Sequence, residues 1–175
     1  MKDLARDQSL RWLQRDERSF GLCDQRQTVF ATLIFQTRCG SLATARTAAG
    51  SWTLKRVGFL KPAVSVRPIG SDTPVALFRL ARLRMAGGRV VLWKPKNIRR
   101  TEIILETEAG RRILRLKPEL GVHKREASLE IESTDLDSTE LSLVVLTSWH
   151  VVLLLQKDET TSENGTVAAI MAMMS

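Results

Sequence analysis

The side chains of this sequence best suited to chemistry are cationic. Lys94 and Lys96, together with Arg99-Arg100, bracket an expected loop, and Arg111-Arg112 follow a short distance on. Ammonium and guanidinium groups gathered on a loop hold phosphate or carboxylate through charge-assisted hydrogen bonds. Lys94, Lys96, Arg99, Arg100, Arg111 and Arg112 are therefore the candidate anion- or lipid-headgroup-binding residues. They belong to a wider basic set that includes Lys55, Arg56, Lys61, Arg67, Arg79, Arg82 and Arg84.

Other reactive side chains are few. His123 and His150 are the only histidines, and Cys23 and Cys39 the only cysteines. Two separated histidines and two isolated thiols lack the close spacing of a zinc site. Without Cys-x-x-Cys spacing, the thiols read as reduced residues of a cytoplasmic protein, with a disulfide between them left open. His150 falls in an apolar stretch and reads as a neutral core histidine, whereas His123 beside Lys124 and Arg125 reads as solvated. No Gly-rich phosphate loop with Lys-Ser/Thr and no serine elbow stands out. Asp135, Asp137 and Glu140 suit a helix start better than acid–base work. The expectation is a protein with no catalytic residues, no metal and no cofactor.

The charge is distributed unevenly. The 175 residues hold 27 Lys/Arg against 19 Asp/Glu, net +8. Residues 1–37 carry six basic and five acidic groups, residues 38–124 nineteen and five, and residues 125–175 two and nine. The net charges are thus 6 − 5 = +1, 19 − 5 = +14 and 2 − 9 = −7. A basic middle attracts phosphates, in nucleic acid or in anionic lipid. Nucleic acid is disfavoured, because its readers add stacking aromatics or a recognition helix. This chain has no Tyr, and its four Trp and five Phe mostly fall at strand positions that look inward-facing.

The elements that must position these groups are mainly strands. A chain of this length suits one domain with a sizeable core. Residues 1–17 read as an N-terminal extension, with Leu4, Leu10 and Leu13 spaced for one face of a short amphipathic helix or else frayed. They contain no apolar h-region of a secretory signal, so the Asn164 sequon carries no weight. Period-two alternation then predicts ten strands, at 18–24, 28–36, 41–47, 51–57, 63–68, 74–82, 89–94, 98–107, 111–117 and 125–132. Gly87-Gly88 suits a primed hairpin turn.

The stretch 141–155 is apolar on every side if helical, so it belongs in a core or in a membrane. Asp137 or Ser138 supplies an N-cap for a helix over 138–157. Its uncharged window of sixteen residues, 141–156, is shorter than the roughly 17–25 residues of a membrane span. A core helix is favoured, and a tail-anchored span is the alternative. Residues 158–175 read as a polar loop and a short apolar ending that packs onto the body.

Many antiparallel strands followed by one all-apolar helix resemble the tubby C-terminal-like superfamily, which includes the tubby domain, phospholipid scramblases and LURP-one-related proteins. Local text adds to the resemblance: Gly40-Ser-Leu-Ala-Thr-Ala-Arg46, Trp52-Thr-Leu-Lys-Arg-Val-Gly-Phe59 with Lys61-Pro62, Val64-Ser-Val-Arg67, and Gly87-Gly88 before Val90-Val-Leu-Trp-Lys94. It looks like a bacterial group of that superfamily over roughly residues 28–157, departing at 98–103 where aromatics are expected. The resemblance implies a closed antiparallel barrel of twelve strands enclosing the C-terminal hydrophobic helix. It also implies non-enzymatic recognition of anionic membrane lipid headgroups, by a cytoplasmic protein peripheral at the membrane. The alternative function is a structural or protein-interaction domain without ligand.

Overall fold

The computed structural model describes residues 9–58, 62–97, 100–121, 125–132 and 135–162. Twelve strands precede one helix. They are β1 (Leu10–Gln14), β2 (Ser19–Cys23), β3 (Val29–Phe35), β4 (Ala43–Thr47), β5 (Gly50–Val57) and β6 (Ala63–Pro68), then β7 (Ala76–Arg79), β8 (Arg82–Met85), β9 (Val90–Pro95), β10 (Ile103–Thr107), β11 (Arg112–Leu120) and β12 (Arg125–Ile131). The helix α1 spans Ser138–Ser162. Each strand pairs antiparallel with its neighbours in sequence, and β1 pairs with both β2 and β12. The sheet is therefore a closed up-and-down barrel with no free edge.

Alternation gives the barrel its two faces. Leu10 and Trp12, Phe20 and Leu22, Leu33 and Phe35, Trp52 and Leu54, and Val91 and Trp93 point inward and are buried. A barrel of about eight strands can fill its interior with side chains alone, and a wider one leaves a lumen. Here α1 fills the lumen, and alanines at 31, 43, 45, 76 and 127 on the inner wall leave room for it. Every residue from Leu141 to Leu155 is buried, so the expected enclosed helix is found.

The helix begins on a capping box. Asp137 Oδ1 accepts the backbone N–H groups of Thr139 and Glu140 at 2.8 Å, and Glu140 Oε2 accepts that of Asp137 at 3.3 Å. Two serines of the enclosed helix are satisfied by its own backbone: Ser142 donates to the carbonyl of Ser138, and Ser148 to that of Val145. At 25 residues α1 is longer than its uncharged window, and Ser138–Glu159 is long and apolar enough to cross a membrane. Length therefore does not separate the two readings of this helix. In this structure 83% of its most apolar window is buried.

Four expectations are corrected. Residues 10–14 form the strand that closes the barrel, not part of an amphipathic helix or an extension, and Leu10 and Trp12 face the core. The single strand expected at 74–82 is two strands joined by Leu80-Ala81, whose φ angles of 52° and 54° make a primed two-residue turn. Gly87-Gly88 does not form that turn: only Gly88 has positive φ, and the Gly88 N–H bonds the Met85 carbonyl in a three-residue loop. The helix continues through 158–162, which the sequence assigned to a tail. The apolar ending 166–175 lies outside the described residues.

Candidate functional site

Up-and-down topology sorts the loops onto two ends. The start of α1 lies at one end, where Arg89, between β8 and β9, pairs with Glu140 at 3.0 Å. The close of α1 lies at the other, where Arg56 on β5 grips Asp158 in two hydrogen bonds of 3.1 and 2.6 Å. The basic candidates divide between these ends. Lys94, Lys96 and Arg100 surround the β9–β10 connection at the closing end, and Arg111-Arg112 sit at the β10–β11 turn at the starting end. The length of β10 separates Lys96 and Arg100 from Arg111, whereas Lys94 and Arg112 stand two residues apart in register along it, on either side of Glu106. Arg99 lies outside the described residues.

Each described candidate already has a carboxylate. Lys94 pairs with Glu106, Lys96 with Glu102 at 3.0 Å, Arg100 with Glu159 at 3.0 Å, Arg111 with Asp135, and Arg112 with Glu132 at 3.9 Å. The hydrogen bond from Lys96, aided by the Arg115 and Lys117 charges, holds the Glu102 carboxyl below its ordinary range against its own desolvation. The pattern continues across the wall: Arg115 reaches Glu102, Glu130 and Glu132, and Lys117 reaches Glu130. Exposed ion pairs add little stability. Their consequence here is that β9–β12 presents a neutralised, mixed-charge lattice.

The adjoining wall has no such lattice. Residues 38–101 contain fourteen Lys/Arg and one carboxylate, Asp72. The strand register carries several of these cations across the outer face. Lys55, Ser65, Leu77 and Arg84 form one row over β5–β8, and Arg79 stands directly opposite Arg82 in the next. Lys55, Arg79, Arg82 and Arg84 make no ion pair among the described residues, and the one carboxylate Arg67 reaches among them is the fully exposed Asp72 at 3.8 Å. Arg79 also keeps a buried Nε with no hydrogen-bond partner. Like charges facing each other across strands are unfavourable. Exposed Leu77 and Leu80, 37% and 42% accessible, sit among these arginines. The sequence placed Arg79, Arg82 and Arg84 in the basic set but not among the candidates. The signal that distinguishes them is the near absence of carboxylates around them in the chain.

Inside the barrel an aromatic cluster from β1, β2 and β3 packs against Trp149 and His150 of the helix. Trp12 and Trp149 stack with centroids 6.0 Å apart, and Phe20 meets both Trp149 and Phe35 edge-on. Phe35 stacks on His150. His150 Nε2 lies 2.9 Å from the Ser41 carbonyl, which only accepts, so this nitrogen carries the hydrogen. Nδ1 has no partner in the structure. Burial pushes the His150 pKa down to about 3, and the charges of Lys157 and Arg56 add to this against the pull of the Ser41 hydrogen bond. The imidazole is a neutral core group, satisfied on one nitrogen only. Cys23 is buried and Cys39 exposed, both as free thiols. His123 lies outside the described residues. Among the described residues no group of three or more His, Cys, Asp or Glu is placed to hold a metal.

No protein family, curated protein or solved structure matches this chain.

Proposed function

We propose that this is a non-enzymatic binding protein that docks on anionic membrane surfaces through the outer face of β5–β8. One observation carries the reading: Lys55, Arg79, Arg82 and Arg84 lie on adjoining strands with no counter-charge among the described residues. A surface that keeps like charges together without carboxylates suits a ligand that supplies many negative charges. A lipid bilayer does so over a flat area, and each Lys or Arg near it contributes about 1 kcal/mol. Leu77 and Leu80 give the same face an apolar element that reaches past the headgroups, which a purely ionic partner would not use. The resemblance to the tubby-like superfamily stays part of the proposal. It implies twelve strands around a hydrophobic C-terminal helix, and twelve surround α1.

Co-sedimentation with vesicles tests this. The wild type should bind vesicles rich in acidic phospholipid, bind neutral ones weakly, and release as salt rises. Replacing Arg79, Arg82 and Arg84 by Glu should weaken binding by about a hundred-fold or more, from roughly 1 kcal/mol for each lost charge. Lys94→Gln with Lys96→Gln, in the neutralised lattice, should leave it nearly unchanged. Equal losses in both variants would sink the assignment to this wall, and no preference for acidic lipid would sink the membrane.

A further inference from the structure

The barrel wall opens at one seam. The β10–β11 pairing begins with Ile103 opposite Leu116, whereas β11 runs on to Leu120 paired with β12 alone. Pro118 stands in that extension and has no N–H to offer a neighbouring strand. Behind the seam lies a small cleft, open to solvent on one side. Ile103 and Pro118 line it from the wall, and Val152 and Leu155 from the last enclosed turns of α1. Its polar end is the Arg100–Glu159 pair.

That pair is built asymmetrically. The Arg100 side chain is only 22% exposed and lines an otherwise largely apolar cleft. Its backbone is left-handed, with φ 51°, a conformation that costs a non-glycine residue about 1–2 kcal/mol. Glu159 is 60% exposed. It sits near the C-terminal end of α1, where the helix dipole disfavours an anion. The cation is thus held in place by the fold, while its carboxylate partner is held loosely. A carboxylate entering from solvent can take the place of Glu159 and still leave Arg100 paired.

We infer that this cleft binds a small, free amphiphile with an anionic head. Its apolar chain lies against Ile103, Pro118, Val152 and Leu155, and its head pairs with Arg100 in place of Glu159. The site is separate from the basic wall and does not rest on the membrane reading.

Calorimetric titration of the full chain with octanoate, below its micelle-forming concentration and without vesicles, tests the inference. Octanoate should bind, and octylammonium, with the same chain and the opposite charge, should not. Arg100→Gln should weaken octanoate about ten-fold, as loss of one charge-assisted bond implies. Glu159→Gln should tighten it several-fold by removing the competing carboxylate. If Arg100→Gln compromised folding, the gain in Glu159→Gln would still decide the matter. The triple variant at Arg79, Arg82 and Arg84 should bind octanoate as the wild type does. Absence of octanoate binding, equal binding of octylammonium, or failure of Glu159→Gln to tighten it would overturn the inference. Loss in the triple variant alone would assign the amphiphile to the basic wall and overturn it equally.

Discussion

The His150 imidazole stacks on the Phe35 ring, with centroids 5.4 Å apart and planes within 17°. Lys157 covers the same ring, its Nζ 3.5 Å from the centroid. The negative face of the ring attracts a cation above it, and Lys157 donates to the Gly40 carbonyl at 3.1 Å as well. Burial nevertheless lowers the lysine pKa to about 8, with Arg125 pushing the same way. The stack therefore joins α1 to β3 and to the β3–β4 connection through one neutral and one half-desolvated base.

This arrangement makes stability acid-sensitive. His150 titrates near 6.5 in the unfolded chain and at about 3 in the folded one. Between those values the unfolded state binds one proton more, so stability falls as pH drops below about 6.5. The slope approaches about 1.4 kcal/mol per pH unit from this group. His150→Leu removes the titration. Urea unfolding at pH 7 and at pH 5 should show the wild type losing more stability than the variant over that interval. Equal losses would place the acid sensitivity elsewhere.

The β7–β8 turn holds two non-glycine residues at positive φ where Asn-Gly is the favoured pair. Replacing Leu80-Ala81 by Asn-Gly should raise stability by about 1–2 kcal/mol, since each left-handed non-glycine residue carries a cost of that order. The same variant removes the exposed Leu80 side chain, so vesicle binding should weaken while the melting temperature rises. Opposed movement of the two readouts identifies a strained turn kept for its side chain. A variant neither stabilised nor weaker in binding would refute this.

The same turn shows where the sequence stops being legible. Alternation marks β5, β6 and β11 clearly, because their inward Trp52, Leu54, Val64, Val66, Leu114 and Leu116 are apolar and their neighbours largely polar. Leu80-Ala81 carries no turn chemistry, so β7 and β8 read as one strand. The helix core is equally plain, yet its last turns look like loop. Lys157-Asp158-Glu159 are helical through non-local partners: Gly40 and Phe35, Arg56, and Arg100. The carboxylate partners of the candidate cations are hidden for the same reason. Glu106 neutralises Lys94 through the register of β9 and β10, and Asp135 reaches Arg111 from beyond β12. Such pairings are invisible to spacing along the chain.

The strand β1 was the least legible element and has the largest consequence. It is five residues long, and its partner β12 lies more than a hundred residues away in sequence. Deleting residues 1–14 should remove Leu10 and Trp12 from the core and expose the paired edges of β2 and β12. Open edges template association. Size exclusion should show the truncated chain as aggregate or unfolded protein, while the full chain stays monodisperse. A stable, monodisperse truncation would show that residues 1–14 are dispensable and that the barrel closes without them.

Arg56 and Asp158 set how firmly the helix end is held. Their side chains are 25% and 23% exposed, and the guanidinium makes two hydrogen bonds to one carboxylate. A half-buried bidentate pair is worth more than an exposed one, but it also carries a desolvation cost. Asp158→Ala leaves a cation at the barrel mouth, already near the Lys157 charge, and should cost about 2 kcal/mol. Arg56→Met keeps much of the apolar stem and should cost less. It frees a carboxylate that the helix dipole disfavours but that water can reach. The double variant should then be no less stable than Asp158→Ala alone, since it removes the stranded cation. Denaturant titration of the four proteins gives the coupling energy directly. Strict additivity would mean that the pair contributes nothing jointly, and that the final turns of α1 are held by Lys157 and Arg100 instead.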